Sequence, residues 1–258
     1  VIGFINTRTW DRTQDEQLSQ GWCPMVVDTN GDGRISKPWN QPVGAMRSQN
    51  EGGGGGRLID VDLTLDTRMS PGSYGIIADT QVEGVAWGVG TEFPGRIYRL
   101  DIGDNPPETC ITEVYELPVV DGKPMGFGPR GLDMDSNGVI WTALSGSSHM
   151  ASFDRSKCDV LNGPSVINSQ HCQQGWTLHE IPGPNMKGTD RKADFHYYNW
   201  VDIFNTLGLG ENVPIANGSG SDSLVALVPE TGEFMHMRVP YPMGFYSRGM
   251  DGRIDDPD

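Results

Sequence analysis

The chain has 258 residues, with 19 Lys and Arg against 34 Asp and Glu, a formal net charge of −15. Nucleic acid and anionic membranes are therefore poor partners, since phosphate binding needs a basic stripe, whereas cations are not excluded. The 35 Gly and 18 Pro argue for short strands and frequent turns rather than long helices, and no apolar run approaches the ~20 residues of a membrane-spanning helix.

In chain order, VIGFINTRTWD at Val1 reads as the third strand of a repeat unit, with an Asp-containing exit. An insertion over about 21–69 then interrupts the pattern, carrying DTNGDGRIS from Asp28 to Ser36, a run of five glycines from Gly52 to Gly56, and DVDLTLDTR. The glycines have no GxGxxG or GxxxxGK[ST] grammar around them, so they read as a surface loop rather than a phosphate cradle.

Two stretches then match each other. The first is YGIIADTQVEGVAWGVGTEFPGRIYRLDIG from Tyr74, followed by ITEVYELP. The second is RGLDMDSNGVIWTALSGSSHMASFDRSK from Arg130, followed by WTLHEIP. Each has an apolar strand, a turn, a strand with a central Trp (Trp87, Trp141) and a Gly- or Ser-containing turn. Each continues with an alternating strand ending in Asp (Asp101, Asp154), a loop opening near a Cys, and a strand closing in Pro (Pro118, Pro182). Gly75 and Gly131 lie 56 residues apart, and four strands in roughly 45–55 residues is the pattern of a propeller blade.

A third unit is irregular. SLVALVPETGEF from Ser223 and FMHMRVP from Phe234 supply its last two strands, so DFHYYNWVDIFNTLGLGENVPIANG must supply the first two. Trp200, Val201, Phe204 and Leu207 also fit one helical face, which keeps a helical insertion open. PMGFGPRGLDMD from Pro124 recurs as PMGFYSRGMDGR from Pro242, 118 residues on. The expectation is an all-β chain, one partial β-propeller domain over 1–258 with about three four-stranded blades and partial blades at both ends. Further blades would come from the same longer protein or another chain.

The signature Asp135, Gly138, Trp141 and Asp154, with a weaker copy at Asp79, Gly84, Trp87 and Asp101, resembles the extracellular propellers related to streptogramin B lyase. More distantly it is similar to the SMP-30/gluconolactonase propellers. The resemblance covers residues 70–185 well and 190–258 loosely. GPRGLDMD, FHYYNWVD and GFYSRGMDGRIDD look like a bacterial secreted subfamily. This implies a fold, not a reaction, because propellers host enzymes, receptors and scaffolds alike.

None of the four cysteines, Cys23, Cys110, Cys158 and Cys172, sits in a CxxC pair, which excludes zinc-ribbon and thioredoxin-type motifs and covalent c-type haem. Cys158 and Cys172 flank a loop that a disulfide can close, and Cys23 and Cys110 would then pair across a longer span. The alternative is four buried thiols in a cytosolic protein. The expectation is the oxidised form, in an extracellular or periplasmic protein.

The clearest ligand motif is the Asp28 loop. Asp28, Asn30 and Asp32 at positions 1, 3 and 5, Gly33 at 6, the Arg34 carbonyl at 7 and Ser36 at 9 follow the EF-hand pattern and suit a structural Ca²⁺. Position 12 is Trp39, so a further ligand must come from elsewhere, with Asp60, Asp62 and Asp66 as candidates. The other reading is a double turn in an acidic loop. Asp135 and Asn137 in DMDSNG fit a hairpin turn better than a metal loop.

Arg130 and Arg248 occupy equivalent positions just before innermost strands, and Tyr74 takes that place in another unit. Two guanidiniums at a channel mouth would bind a carboxylate or sulfate, though salt bridges to Asp133, Asp251 or a neighbouring blade are the competing reading. His196, in an aromatic-rich segment with Asp194, Tyr197 and Tyr198, is the best candidate base. No HExxH or GxSxG is present. Two functions follow. One is a secreted or periplasmic, calcium-stabilised binding or scaffold module for a glycan or protein partner. The alternative is a lyase or lactonase-type enzyme using His196, Arg130 and Arg248 on an anionic or cyclic ester substrate.

Overall fold

The computed structural model describes residues 1–48, 61–218, 220–244 and 247–249. The glycine run, Asp60, Asp251 and the latter part of the second PMGF copy lie outside the described residues.

The chain opens with β1 (Ile2–Ile5), α1 (Thr7–Thr13), α2 (Glu16–Ser19) and β2 (Gln20–Cys23), β1 pairing antiparallel with β2. The expected strand over VIGFINTRTWD is therefore cut short. Asn6 accepts a hydrogen bond from the Thr9 amide and starts a helix where the Asp exit was expected. Two short strands, β3 (Val26–Val27) and β4 (Thr67–Arg68), pair antiparallel within the interrupting region.

Three four-stranded antiparallel sheets follow, each a meander in chain order. The first holds β5 (Gly75–Ala78), β6 (Val85–Gly90), β7 (Arg96–Asp101) and β8 (Ile111–Glu116). After a small hairpin of β9 (Val119–Val120) and β10 (Lys123–Pro124), the second holds β11 (Pro129–Met134), β12 (Ile140–Leu144), β13 (His149–Phe153) and β14 (Trp176–Glu180). The third holds β15 (His196–Asp202), β16 (Val213–Gly218), β17 (Ser223–Val228) and β18 (Glu233–Arg238). The helical alternative for Trp200 to Leu207 is overturned. β15 runs to Asp202, whose carboxylate then accepts from the Thr206 and Leu207 amides and turns the chain.

The sheets stack face to face as propeller blades, with no closed ring among the described residues. The first strands β5, β11 and β15 lie side by side. Between the first two sheets Trp87, Ile97 and Tyr115 pack against Leu132, Met134 and Phe153, and Trp141, Met150, Val201 and Val225 fill the next gap. Middle strands such as β12 are buried along their whole length because a sheet covers each face. Glu113 locks the first gap: Arg155 donates to both its carboxylate oxygens at 2.6 Å, and Tyr115 donates at 2.6 Å.

Both expected disulfides are present, Cys23–Cys110 and Cys158–Cys172. Among the described residues no helix is long and apolar enough to cross a membrane.

Candidate functional site

Both sequence-predicted arginines reach the Tyr197 ring, Arg130 from inner strand β11 and Arg248 from a segment that belongs to no strand among the described residues. β11 carries a bulge between Pro129 and Leu132, and β15 carries one between His196 and Asn199. A bulge re-aims the side chains it contains. In β15 the Asn217 carboxamide oxygen accepts from the Tyr197 and Tyr198 amides at 2.7 and 3.0 Å, so the bulge is held from the neighbouring strand. In β11 the Thr142 hydroxyl holds the Gly131 carbonyl at 2.6 Å.

The result is a cluster of two guanidiniums and two phenols. The Arg130 guanidinium lies 5.0 Å from the Tyr74 ring centre and 5.2 Å from that of Tyr197, and Arg248 lies 5.5 Å from Tyr197. Tyr74 and Tyr197 meet edge to face, with their hydroxyls 2.5 Å apart. Arg130 donates to the Ser145 hydroxyl at 3.2 Å, and among the described residues no carboxylate pairs with it. Asp133, a competing partner, accepts instead from the Val201 amide at 2.8 Å. Burial first, then the hydrogen bond to Tyr197, pushes the Tyr74 hydroxyl above its ordinary range, so it remains a neutral donor. Gly131 is required here, since a β-carbon on it would sit 2.5 Å from the Tyr198 ring.

Tyr197 was not identified from the repeat because its strand lacks the Arg-Gly step. The signal was nonetheless present. YGIIAD, RGLDMD and YYNWVD each end in Asp (Asp79, Asp135, Asp202), and aligning on that Asp sets Tyr74, Arg130 and Tyr197 at one register.

His196 is not part of this exposed cluster. Its ring is fully buried, 3.6 Å from the Asp194 carboxylate, and neither ring nitrogen nor either Asp194 oxygen has a hydrogen-bond partner. Burial foremost pulls its pKa down to about 4, with Asp194 opposing and His236 adding to the fall. Beside Tyr74 lies a cavity of about 180 Å³ that Glu92 helps line. Burial raises the Glu92 carboxyl despite its ion pair with Arg96 at 2.9 Å.

At the Asp28 loop, Asp28 accepts from the Gly31 and Gly33 amides, Asn30 from the Asp32 amide and Asp32 from the Arg34 amide. The Ser36 amide donates to Asp66 at 2.8 Å, which brings Asp66 onto the loop, while Asp62 accepts from Thr64 instead. Asp135 serves its hairpin, accepting from the Asn137 and Val139 amides.

No family model and no curated protein matches the chain. Similar folds occur among solved structures. Virginiamycin B lyase from Staphylococcus aureus is 13% identical with a TM-score of 0.32, over 66% of this chain and 57% of that one. A 6-phosphogluconolactonase-like protein from Bacteroides uniformis is 12% identical with a TM-score of 0.42, over 67% and 46%. The Cps50 β-propeller domain of Myceliophteria thermophila is 10% identical with a TM-score of 0.34, over 71% and 65%. The chain thus spans little more than half of the lyase. These likenesses fall on the propeller type named from the sequence, and at such scores they carry no argument about activity.

Proposed function

We propose that this chain is part of a propeller-type binding module, working in the extracellular space or periplasm, that takes an anionic group of a glycan or protein partner between Arg130 and Arg248. The reading rests on one observation: Arg130 on β11 and Arg248, which follows the last described strand, set two guanidiniums against the phenol faces of Tyr74 and Tyr197. A carboxylate or sulfate there gains charge-assisted hydrogen bonds from the arginines, and a sugar ring gains apolar contact with Tyr74 and Tyr197. The net charge of −15 disfavours long polyanions but is screened beyond ~8 Å at physiological salt, so a short acidic oligosaccharide is the better fit. The two disulfides support an oxidising compartment. A lyase or lactonase-type reaction is less well supported, because its candidate base His196 is fully buried.

The test is calorimetric titration with a tetragalacturonate and its neutral methyl ester. The acid should bind and the ester should not. Arg130→Ala should weaken binding at least about tenfold, the loss of roughly 1.5–3 kcal/mol from a hydrogen bond to a charged group. Equal binding of acid and ester, or no effect of Arg130→Ala, would refute the anion site.

A further inference from the structure

A second site, independent of the arginine cluster, lies where the Asp28 loop meets β4. Asp28 and Asp66 are both buried, at 1% and 0% exposure. Among the described residues neither carboxylate pairs with a Lys, Arg or His side chain. Asp28 has both oxygens engaged, by the Gly31 and Gly33 amides at 2.7 and 3.0 Å and by the Asn162 carboxamide at 3.3 Å. Asp66 is different. One oxygen accepts from the Ser36 amide, which belongs to the loop; the Asn30 amide also faces the carboxylate, but the second oxygen is buried with no hydrogen bond of normal geometry. A half-satisfied buried carboxylate beside a second buried carboxylate is costly unless a cation neutralises them.

We infer that Asp28, Asp32 and Asp66 bind one Ca²⁺ ion together with the Asn30 carboxamide and the Arg34 carbonyl, Asp66 taking the place of the acidic residue that an EF-hand loop carries at position 12. The donors are all hard oxygens on a short loop, which suits the six to eight ligands of calcium better than the strict octahedron of magnesium. Asp32 enters from the exposed side, where its pairing with Arg34 at 3.2 Å is a weak surface contact. Among the described residues no three His, Cys, Asp or Glu side chains are grouped closely enough to hold a metal ion, so the inferred site requires the exposed Asp32 side chain to turn in towards Asp28 and Asp66. Asp28 also accepts from the Gly163 amide through its carbonyl at 2.8 Å. The ion therefore fastens β3 and β4 to the loop closed by Cys158 and Cys172.

The full chain, stripped with chelator and titrated with calcium chloride by calorimetry, should bind one equivalent and melt at a higher temperature than in chelator. Asp66→Asn should lower calcium affinity at least tenfold while melting in chelator at or above the wild-type temperature, because it removes a buried charge. Asp32→Ala, at an exposed position, should weaken binding without endangering the fold. The inference is overturned if the wild type shows neither calcium heat nor a shifted melt, or if magnesium shifts the melt equally. It is also overturned if Asp66→Asn destabilises equally in calcium and chelator. Should Asp66→Asn fail to fold, unchanged affinity of Asp32→Ala overturns it.

Discussion

His196 shows how one buried ring ties stability to pH. Its folded pKa of about 4 lies below the ordinary ~6.5 of the unfolded chain, chiefly because the ring is buried. Between those values the unfolded chain holds a proton that the folded chain refuses. The stabilisation is complete above pH ~6.5 and is lost as pH falls towards 4, at up to about 1.4 kcal/mol per pH unit. Burial lowers His149, His171 and His179 as well, so they act in the same direction. Denaturant unfolding between pH 7.5 and 5 should show this loss, with a shallower slope for His196→Gln. Identical slopes would mean that His196 is not the group involved. The sequence marked His196 as chemically interesting because it sits among Asp194 and tyrosines. Its burial was not readable there, because it depends on how β15 bulges.

In the strands and hairpins, legibility follows the range of the interactions. Asp135 accepts from two turn amides and from the Trp141 indole at 3.1 Å, and Asp79 does the same in the preceding blade, reaching Trp87 at 2.9 Å. One carboxylate thus closes a hairpin and fixes the indole that enters the core, which explains why D-x-x-G-x-x-W reads so clearly. All its partners lie within eight residues of the acid. Asp135→Ala should cost about 1–3 kcal/mol in chemical denaturation, since it orphans a buried indole N–H and two amides. A cost indistinguishable from that of an exposed Asp→Ala would show that the hairpin holds itself. The bulge that aims Tyr197 depends instead on Asn217, 20 residues away, and Asp66 reaches Ser36 from 30 residues away. Neither contact has a sequence pattern of its own. The helix after Asn6 was missed for the opposite reason, since a local cap overrode a repeat-based expectation.

Across the molecule, the blade repeat, the stacking of sheets and the cysteine pairing were all readable, because each is carried by identical strings or by a small set of residues. What joins the parts was less so: the Glu113–Arg155 lock links residues 42 positions apart and follows from no motif. Closing loops of 14 and 87 residues, the two disulfides stabilise the fold by roughly 3 and 4–5 kcal/mol in a chain-entropy picture. The longer one also sets the covalent topology. Every peptide bond between Cys23 and Cys110 lies inside a closed ring of covalent bonds, a ring that takes in the whole Asp28 loop and three strands of the first blade. A single protease cut there opens the ring without dividing the molecule. Limited proteolysis confined to that span should therefore give one band of unchanged mass on a non-reducing gel and two shorter bands after dithiothreitol. Two bands without reductant would mean the bond is not formed. While it holds, a nicked molecule keeps both halves of its first blade at a high mutual concentration, and a backbone break becomes an injury the fold can survive.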